Sequence, residues 1–456
     1  MSEILVLEIN EVPWKVINKF RADAKYQNII KFFNRSENYT TYCVDKKGML
    51  DPWVIWPTIH RGMGYKLHNI KNLGQDVSTF KGEPIWEVFL KKKYSIGVFG
   101  SLQSWPPKDP GQKGFYLPDT FAHNADCYPK SLKKFQEFNL QQVSKNGKVI
   151  NKNSIYNISG IITFLSLPFL SVKMSTIIKI IFQMLSEIFL KRRLAFRPTF
   201  QTLIAWDIFK GQYLKKQTYF STFFTNHIAN IMHRYWDHIF SEKFSNSINE
   251  HRQTMEHAMK VLDNILGDVM HFCKNNKNLS IYFISGMGQD KVYHPEHEGY
   301  EAKIKDIFTL CNFLGLDKNK YTALLAMVPQ IALEITDEKL RKNFCNKLGS
   351  IFTLSNKRLF SILEEGNSLS ISILTPKLCD FKSNELVFKD NGNEKIIKFE
   401  DIGVEILKMD AGQAYHIPEG ILSIYSENIS STRRVDTDII KTDQIKSIIL
   451  KHAGIV

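Results

Sequence analysis

The feature that most constrains the fold is a repeated alternation of short apolar runs with longer segments of helical character. The run ILVLEI begins at Ile4, and YSIGVFGS and LSIYFISG repeat the pattern from residues 94 and 279. Helical segments lie between them, such as PWKVINKFRADA and residues 247–274. Short buried strands that alternate with helices are typical of a doubly wound sheet. The sequence therefore predicts an α/β fold with a mostly parallel sheet.

Two excursions interrupt this alternation. Residues 158–190 are strongly apolar, but Pro168 and two lysines interrupt them, and a basic cluster follows at 191–193. A membrane-spanning helix needs about 20 apolar residues in a row. This segment is therefore predicted to be a helical cap on the core or a membrane-surface hairpin. Residues 320–400 contain one helical and several strand-like runs, which indicate a small α+β insertion.

These observations predict how the chain is divided into a core and its insertions. The predicted parts are a core at 1–130, 216–319 and 401–456, a helical, apolar cap at 131–215, and the α+β insertion at 320–400. The last core part contains the closing strand GILSIYSE and the closing helix TDQIKSIILKHAG.

The charge balance limits the class of partner. The chain carries 60 basic and 46 acidic residues, a formal net charge of +14, which suits an anionic ligand or an acidic membrane face. No segment interleaves basic and aromatic residues as nucleic-acid modules do, so nucleic acid is not an expected partner. The first residues lack a secretion signal, and the six cysteines lack CxxC spacing. We expect a cytoplasmic protein, peripheral on the inner face of the membrane if 158–193 contacts anionic lipid.

Polar clusters follow the predicted strands or lie in the loops beyond them, where α/β folds bind ligands. The chain has no Walker A loop, no GxGxxG after a strand, no GxSxG elbow and no HExxH. The candidate site residues therefore come from these clusters. They are Glu8, Asn10 and Glu11; Thr58, His60 and Arg61; Asn226, His227, Asn230 and His233; Gln289 within SGMGQD; and His416 within YHIPEG.

The order of these clusters resembles the alkaline phosphatase superfamily, in particular its type I phosphodiesterase and nucleotide pyrophosphatase branch. The segment PWVIWPTIHRGMGYKLHNIKNLGQ is similar to the nucleophile segment of that branch, in which Thr or Ser precedes a glycine turn and an HGIxNLG tail. AYHIPEGILSIYS resembles its GxHxPEGIL strand, and VDTDIIKTDQIKSIILKHAGI resembles its closing helix. The likeness covers nearly the whole chain and implies a sheet of the alkaline phosphatase type.

The resemblance also implies roles for particular residues. Thr58 would be the nucleophile, at a helix N-terminus where backbone N–H groups favour a phosphoryl group. His416 matches a metal-binding histidine of the family, and His233 matches the histidine of its DxxxH motif. The sequence departs from the family at its aspartates, because Asn10 ends the first strand and Ala229 lies four residues before His233.

These departures leave two interpretations of the chemistry open. Two zinc ions need several carboxylates, and SGMG stands where the family has SDHG. We therefore expect one divalent metal, zinc or manganese, or none. A single metal would be held by His233, His416 and a carboxylate, either Glu8 or Glu11.

A metal-free site needs another way to activate the nucleophile. His60, His227 or His233 would act as general base toward Thr58, and Arg61 would hold the phosphate in place of zinc.

A further interpretation is group transfer, in which Glu8 or Glu11 acts as base toward a sugar hydroxyl. The residues predicted to bind substrate are Asn10, Arg61, Asn226, His227, Asn230 and Gln289. Degenerate variants of this fold resemble proteins of bacterial surface-glycan assembly. The predicted function is therefore hydrolysis or transfer on a phosphorylated, nucleotide-activated or lipid-linked glycan precursor. The alternative is a non-catalytic binding or scaffold protein in the same pathway.

Overall fold

The structure is a computed structural model that divides into two compact units. The described residues are 2–45, 50–73, 75–144, 164–240, 250–291, 300–324, 331–374, 378–390, 392–408, 414–428 and 438–455. The first unit consists of Met1–Lys71, Asp76–Lys291 and Gly412–Val456, and the second consists of Asn72–Gln75 and Val292–Ala411.

The strands and helices are numbered along the chain. The strands are β1 (Glu3–Ile9), β2 (Glu37–Tyr42), β3 (Ile96–Phe99), β4 (Phe115–Leu117), β5 (Phe220–Thr225), β6 (Leu279–Ser285), β7 (Gly288–Lys291), β8 (Tyr300–Ile304), β9 (Thr322–Leu324), β10 (Ile331–Glu334), β11 (Ile351–Thr353), β12 (Phe360–Glu365), β13 (Ser368–Ile373), β14 (Glu385–Asp390), β15 (Asn393–Lys398), β16 (Val404–Lys408), β17 (Ala414–Ile417), β18 (Glu419–Tyr425) and β19 (Ile439–Lys441). The α-helices are α1 (Trp14–Arg21), α2 (Gln27–Asn34), α3 (Pro52–Arg61), α4 (Tyr65–His68), α5 (Ile85–Lys91), α6 (Lys133–Ser144), α7 (Met174–Phe189), α8 (Arg197–Lys216), α9 (His227–Phe240), α10 (Glu250–Asn275), α11 (Ile307–Phe313), α12 (Glu338–Leu348), α13 (Leu378–Ser383) and α14 (Ile445–His452).

An eight-stranded sheet forms the centre of the first unit. Its strand order is β19-β2-β18-β6-β1-β5-β3-β4. Every neighbouring pair is parallel except those of β18, which runs antiparallel to both β2 and β6. The predicted α/β fold with a mostly parallel sheet is confirmed. The strands β7 and β17 form a separate antiparallel pair.

The central strand β1 is continuously apolar from Ile4 to Leu7 because both of its faces are covered. Leu5, Leu7 and Ile9 pack into the core on one face of the sheet, and Ile4 and Val6 pack into the core on the other. Successive side chains of a strand point to opposite faces, so a strand covered on both faces has a continuous apolar run instead of an alternating pattern. The first unit is therefore a three-layer arrangement of helices, sheet and helices.

The segment predicted as a helical cap, 131–215, contains α6, α7 and most of α8, while 145–163 lies outside the described residues. The helix α8 contributes to the main core, because Trp206 and Phe209 are buried there. None of the helices among the described residues combines the length and apolar character needed to cross a bilayer.

The second unit is larger than the predicted α+β insertion at 320–400. It begins at Val292 and ends at Ala411, because β8 pairs with β16 in antiparallel register from Tyr300 to Ile304. The segments 292–319 and 401–411, which the sequence assigned to the core, therefore belong to this unit. Its buried core includes Leu333, Phe344 and Leu369.

Candidate functional site

Three elements of the first unit bring polar side chains together beyond the carboxyl end of β1. Glu11 follows β1 by two residues, His233 lies on α9 and His416 lies on β17. The β7–β17 register places His416 directly opposite Gln289. In open α/β sheets this edge is where ligands bind, and we call these four residues the Glu11 cluster.

Glu11 is the centre of this cluster. Its Oε2 atom lies 2.8 Å from His233 Nε2 and 3.2 Å from His416 Nε2, and it accepts a hydrogen bond from Gln289 Nε2. Its Oε1 atom accepts a hydrogen bond from Asn10 Nδ2 at 2.6 Å. The Glu11 carboxylate is 2% exposed, whereas the side chains of His233 and His416 are 39% and 22% exposed. The carboxylate is thus buried, with its histidine partners on the solvent side.

The charges in the cluster support one another. Burial would raise the pKa of Glu11, but His416 and His233 outweigh it through their charges and hydrogen bonds and hold the pKa well below its ordinary value. Burial would lower the pKa of His416, but Glu11 outweighs it and raises that pKa. Opposite charges at this distance favour the ionised forms. The cluster therefore keeps a carboxylate ionised inside the protein.

The backbone at Glu11 is strained. Its φ of +61° lies in the left-handed region, which costs a residue with a side chain about 1 kcal/mol or more. Asn10 supports this conformation, since Asn10 Nδ2 also donates to Asn226 Oδ1 at 2.7 Å and Asn10 Oδ1 accepts from Trp56 Nε1 at 2.8 Å. Backbone strain is retained where the surroundings hold a functional side chain in place.

The donor atoms of the cluster fit a single divalent cation. His233 Nδ1 lies 3.1 Å from Ala414 O, and His416 hydrogen bonds to the backbone of Leu50, so each imidazole presents Nε2 to Glu11. Metal-binding histidines are commonly oriented by such a second hydrogen bond. One ligand atom each from Glu11, His233 and His416 lies within 4.8 Å of the others. Two imidazoles and one carboxylate form a ligand set used by catalytic zinc.

Asp51 joins this site, although the sequence analysis did not single it out. It is the N-cap residue of α3, and its side chain caps no N–H group of that helix. Burial raises the pKa of Asp51 to about 6, the charge of His416 opposes the shift, and Glu11 adds to it. The signal was present in the sequence, because Asp followed by Pro is a helix-start pattern.

The structure does not place Thr58 at the helix N-terminus that the resemblance implied. The helix α3 begins at Pro52, so Thr58 lies in its last turns and not at its N-terminus. Thr58 is fully buried, and Oγ1 lies 2.9 Å from Asp45 Oδ2 and 3.1 Å from His68 Nε2. Ile70 N donates to His68 Nδ1 at 3.0 Å, so His68 Nε2 carries the proton and donates to Thr58. The hydroxyl therefore donates to Asp45 Oδ2 or to Val54 O, which lies 3.1 Å from Oγ1.

His60 and Glu8 form a second buried pair. His60 Nε2 lies 2.7 Å from Glu8 Oε1, and their side chains are 2% and 1% exposed. His60 lies two residues after Thr58 on α3, and side chains two apart point in different directions. The two side chains therefore do not face each other, and the role of His60 as a base toward Thr58 stays a prediction. Glu8 does not join His233 and His416 either, so Glu11 is the carboxylate that meets them.

The other predicted substrate-binding residues lie in different surroundings. Arg61 is buried 5.7 Å from the Phe80 ring, and burial lowers its pKa to about 10, against the opposing charges of Glu87 and Tyr116. His227 is buried, with Nδ1 2.8 Å from Thr225 Oγ1. Neither side chain is presented to a substrate in the described part of the chain.

The remaining four predicted substrate-binding residues, Asn10, Asn226, Asn230 and Gln289, belong to the cluster or lie beside it. Asn226 and Asn230 are partly exposed, and Asn226 contacts Asn10. Gln289 is fully buried. Its Nε2 atom donates hydrogen bonds to Glu11 Oε2 and, at 3.2 Å, to Ala229 O. Gln289 and Asn10 therefore position the carboxylate, and Asn226 and Asn230 lie nearer to solvent.

Close packing explains the glycine at position 286 in the SGMG segment. A Cβ atom at Gly286 would lie 2.6 Å from Ile59 Cδ1 and 2.8 Å from Ile55 Cγ2. The helix α3 thus packs directly against the chain after β6. A larger residue at Gly286 would displace the helix whose N-terminus carries Asp51.

No protein-family model and no curated protein matches the chain. Among solved structures, murine ectonucleotide pyrophosphatase/phosphodiesterase 5 is similar, with a TM-score of 0.44, 9% identity, and coverage of 100% of this chain and 96% of that chain. An inactive variant of the murine protein in complex with AMP gives a TM-score of 0.45, and the human protein gives 0.44, each at 9% identity with the same coverage. Similarities of this size assign neither a family nor an activity to the chain.

Proposed function

We propose that the chain is a phosphoester hydrolase or transferase whose reaction centre is the Glu11 cluster. The observation that carries this proposal is the convergence of Glu11, His233 and His416 within 4.8 Å at the carboxyl end of β1. Glu11, His233 and His416 would hold one divalent cation, zinc or manganese. A cation bound there supplies a Lewis acid that stabilises charge on a phosphoryl oxygen.

The protein's own residues have separate tasks in this proposal. Glu11 is fixed by Asn10 and Gln289, which keeps its carboxylate in one orientation. Asp51, beside His416 at the start of α3, accepts the proton of the attacking water or acceptor hydroxyl. A carboxylate with a pKa near 6 suits this task because its conjugate acid forms and dissociates near neutral pH.

The substrate in this proposal is an anionic phosphoester. The formal net charge of +14 favours the approach of such a molecule. A phosphorylated, nucleotide-activated or lipid-linked glycan precursor is the finer form of the proposal, and it rests on the sequence resemblance alone.

A metal-free function is the second candidate, because the cluster is also complete as a set of ion pairs. Glu11 contacts both histidines directly, and a buried carboxylate that is paired and hydrogen-bonded needs no cation to be stable. In that form the protein would transfer groups by acid–base chemistry or would bind ligands without turnover.

Metal analysis of the purified full chain, followed by zinc and manganese titration calorimetry, tests the proposal. We expect close to one equivalent of metal in the wild type and loss of that metal in His233→Ala and His416→Ala. His257→Ala is the matched control, because it removes a histidine of α10 in the first unit that is not one of the three clustered ligands. A wild type that binds neither metal, or variants that bind as the wild type does, would contradict the metal centre.

A substrate screen completes the experiment. The wild type should turn over a phosphodiester or a phosphomonoester. If Asp51→Asn reduces this turnover without changing the metal content, the assigned role of Asp51 is supported. Turnover of nucleotide-sugars by metal-free protein would favour the second candidate. Binding of those compounds without turnover would identify a binding protein and overturn the proposed hydrolase or transferase.

A further inference from the structure

The helix α7 buries several polar side chains and exposes large apolar ones, unlike an ordinary surface helix. Its buried residues are Thr176, Ile177, Ile180, Gln183 and Glu187. Its exposed residues include six large apolar ones, which we call the outer face of α7. They are Ile178, Ile181, Phe182, Leu185, Ile188 and Phe189.

The buried polar side chains form hydrogen bonds that fix which face of α7 points inward. Glu187 accepts from Arg197 Nε at 3.0 Å and Nη2 at 2.7 Å, and Gln183 Nε2 donates to Arg193 O at 2.6 Å. Thr176 Oγ1 donates to Asp207 Oδ2 at 2.6 Å. Turning the helix over would leave these polar groups unpaired or expose them singly, and a buried charge pair is costly to break.

The outer face is continuous and strongly exposed. Phe182 is 67% exposed, Ile188 67% and Phe189 83%. The six residues recur at the three- and four-residue spacing that forms one stripe along a helix. A contiguous apolar stripe rimmed by polar residues marks a surface that binds a partner.

The charges around the outer face identify the partner. Residues 164–196 contain five basic residues and one acidic residue, Glu187, and Glu187 is buried and paired with Arg197. Lys179 and Lys191 are exposed at the side and at the end of α7. Every exposed charge of this segment is therefore positive, which disfavours contact with a second copy of the same face.

We propose that the outer face of α7 binds an anionic lipid bilayer, with α7 lying in the plane of the headgroups. An amphipathic helix in this position buries its apolar face about 5–10 Å into the interface, and adjacent Lys and Arg side chains gain from the negative surface potential. The side chains of Phe182 and Phe189 enter the acyl boundary, while Lys179 and Lys191 contact the headgroups. This inference is independent of the chemistry proposed for the Glu11 cluster.

Vesicle flotation of the full chain tests the inference. We expect flotation with vesicles that contain phosphatidylglycerol, no flotation with vesicles of phosphatidylcholine alone, and release by high salt. The double variant Phe182→Glu/Phe189→Glu should not float. Its control is Phe308→Glu/Ile396→Glu, which changes two exposed apolar residues of the second unit and should float as the wild type does.

Charge variants separate the two contributions. The pair Lys179→Ala/Lys191→Ala should weaken binding by about 25-fold, since each basic residue near the surface contributes about fivefold. The pair Lys318→Ala/Lys320→Ala removes the same charge from the second unit and should not weaken it. Unchanged thermal unfolding of all variants shows that they are folded.

Three outcomes would overturn the inference. The first is a wild type that does not float with anionic vesicles, and the second is undiminished flotation of Phe182→Glu/Phe189→Glu. The third is a wild type that does not bind lipid but forms a dimer, detected by light scattering, which Phe182→Glu/Phe189→Glu abolishes. That result would assign the outer face to contact between copies of the chain.

Discussion

The first strand and the turn after it carry two carboxylates three residues apart, and each contacts a histidine at nearly the same distance. Glu8 lies 2.7 Å from His60, and Glu11 lies 2.8 Å from His233. The two histidines differ in their exposure to solvent. His60 is 2% exposed, whereas His233 is 39% exposed.

The surroundings explain this difference. The His60 ring packs 4.8 Å from the Trp86 ring and 5.8 Å from the Trp56 ring, measured between centroids, so aromatic side chains shield it from solvent. Glu11 instead meets two histidines that reach toward solvent, and Asp51 lies close by. The same chemical pair thus stabilises the core in one place and forms a candidate reaction centre in the other.

The largest expected effect separates the two carboxylates by activity. Glu11→Gln removes the charge that His233 and His416 share but keeps the shape of the side chain. We expect kcat/KM on a phosphoester substrate to fall roughly 10³-fold, or about 4 kcal/mol of transition-state stabilisation. Glu8→Gln can still hydrogen bond to His60 and should leave kcat/KM unchanged. Equal losses in both variants would erase the distinction.

The next effect separates the two histidines by stability. His60→Ala leaves a cavity between aromatic rings and a buried Glu8 without its partner, which should lower the free energy of unfolding by about 3 kcal/mol. His233→Ala removes a partly exposed ring and should cost about 1 kcal/mol or less. Urea unfolding of both variants measures this difference, and the reverse order would contradict our assignment of the buried pair to the core.

A buried histidine without a carboxylate extends the comparison to pH. Burial lowers the pKa of His227 from 6.5 to about 4, with a smaller opposing contribution from its hydrogen bond to Ala258. Between these values the unfolded chain binds a proton that the folded protein does not, so stability decreases as the pH falls from 6.5 to 4. The loss should be on the order of 3 kcal/mol. Unfolding curves at several pH values should show a shallower dependence in His227→Gln, whereas an unaltered dependence would exclude His227 as its source.

The smallest expected effect concerns the hydroxyl between Asp45 and His68. Thr58→Val removes a buried hydrogen bond and should lower the free energy of unfolding by about 1–2 kcal/mol, with kcat unchanged. Thr58→Ser keeps the hydroxyl and should restore most of that stability. A loss of kcat in Thr58→Val that Thr58→Ser restores would instead show that the hydroxyl reacts.

The sequence predicted the parts of this site that depend on order along the chain. Apolar runs marked β1, β3 and β6, and polar residues placed directly after a strand mark the edge at which Glu11 and Asn226 lie. The combination of His233, His416 and a carboxylate also came from sequence, through a resemblance between motifs. The sequence could not distinguish Glu11 from Glu8 as the carboxylate of the site, because both follow the same run of apolar residues and differ only in the side chains packed around them.

The position of α3 was the main error, and its cause is local. The family resemblance implied that Thr58 lies at a helix N-terminus, whereas the helix starts six residues earlier at Pro52 and contains Pro57. A proline suits the first turn of a helix, which fits the start at Pro52. This shift moved Thr58 into the core and left Asp51 at the site.

The short β7–β17 pair has a consequence for how the chain folds. Lys291 and Ala414 pair across it, and the chain between them is the second unit apart from Asn72–Gln75. Pairing these strands in an unfolded chain would close a very long loop, at an entropy cost that grows with the logarithm of its length. If the second unit folds first, its compact form shortens the effective loop, and Gln289 and His416 meet at a smaller cost. In that order of folding, the inserted unit lowers the entropy cost of forming the Glu11 cluster.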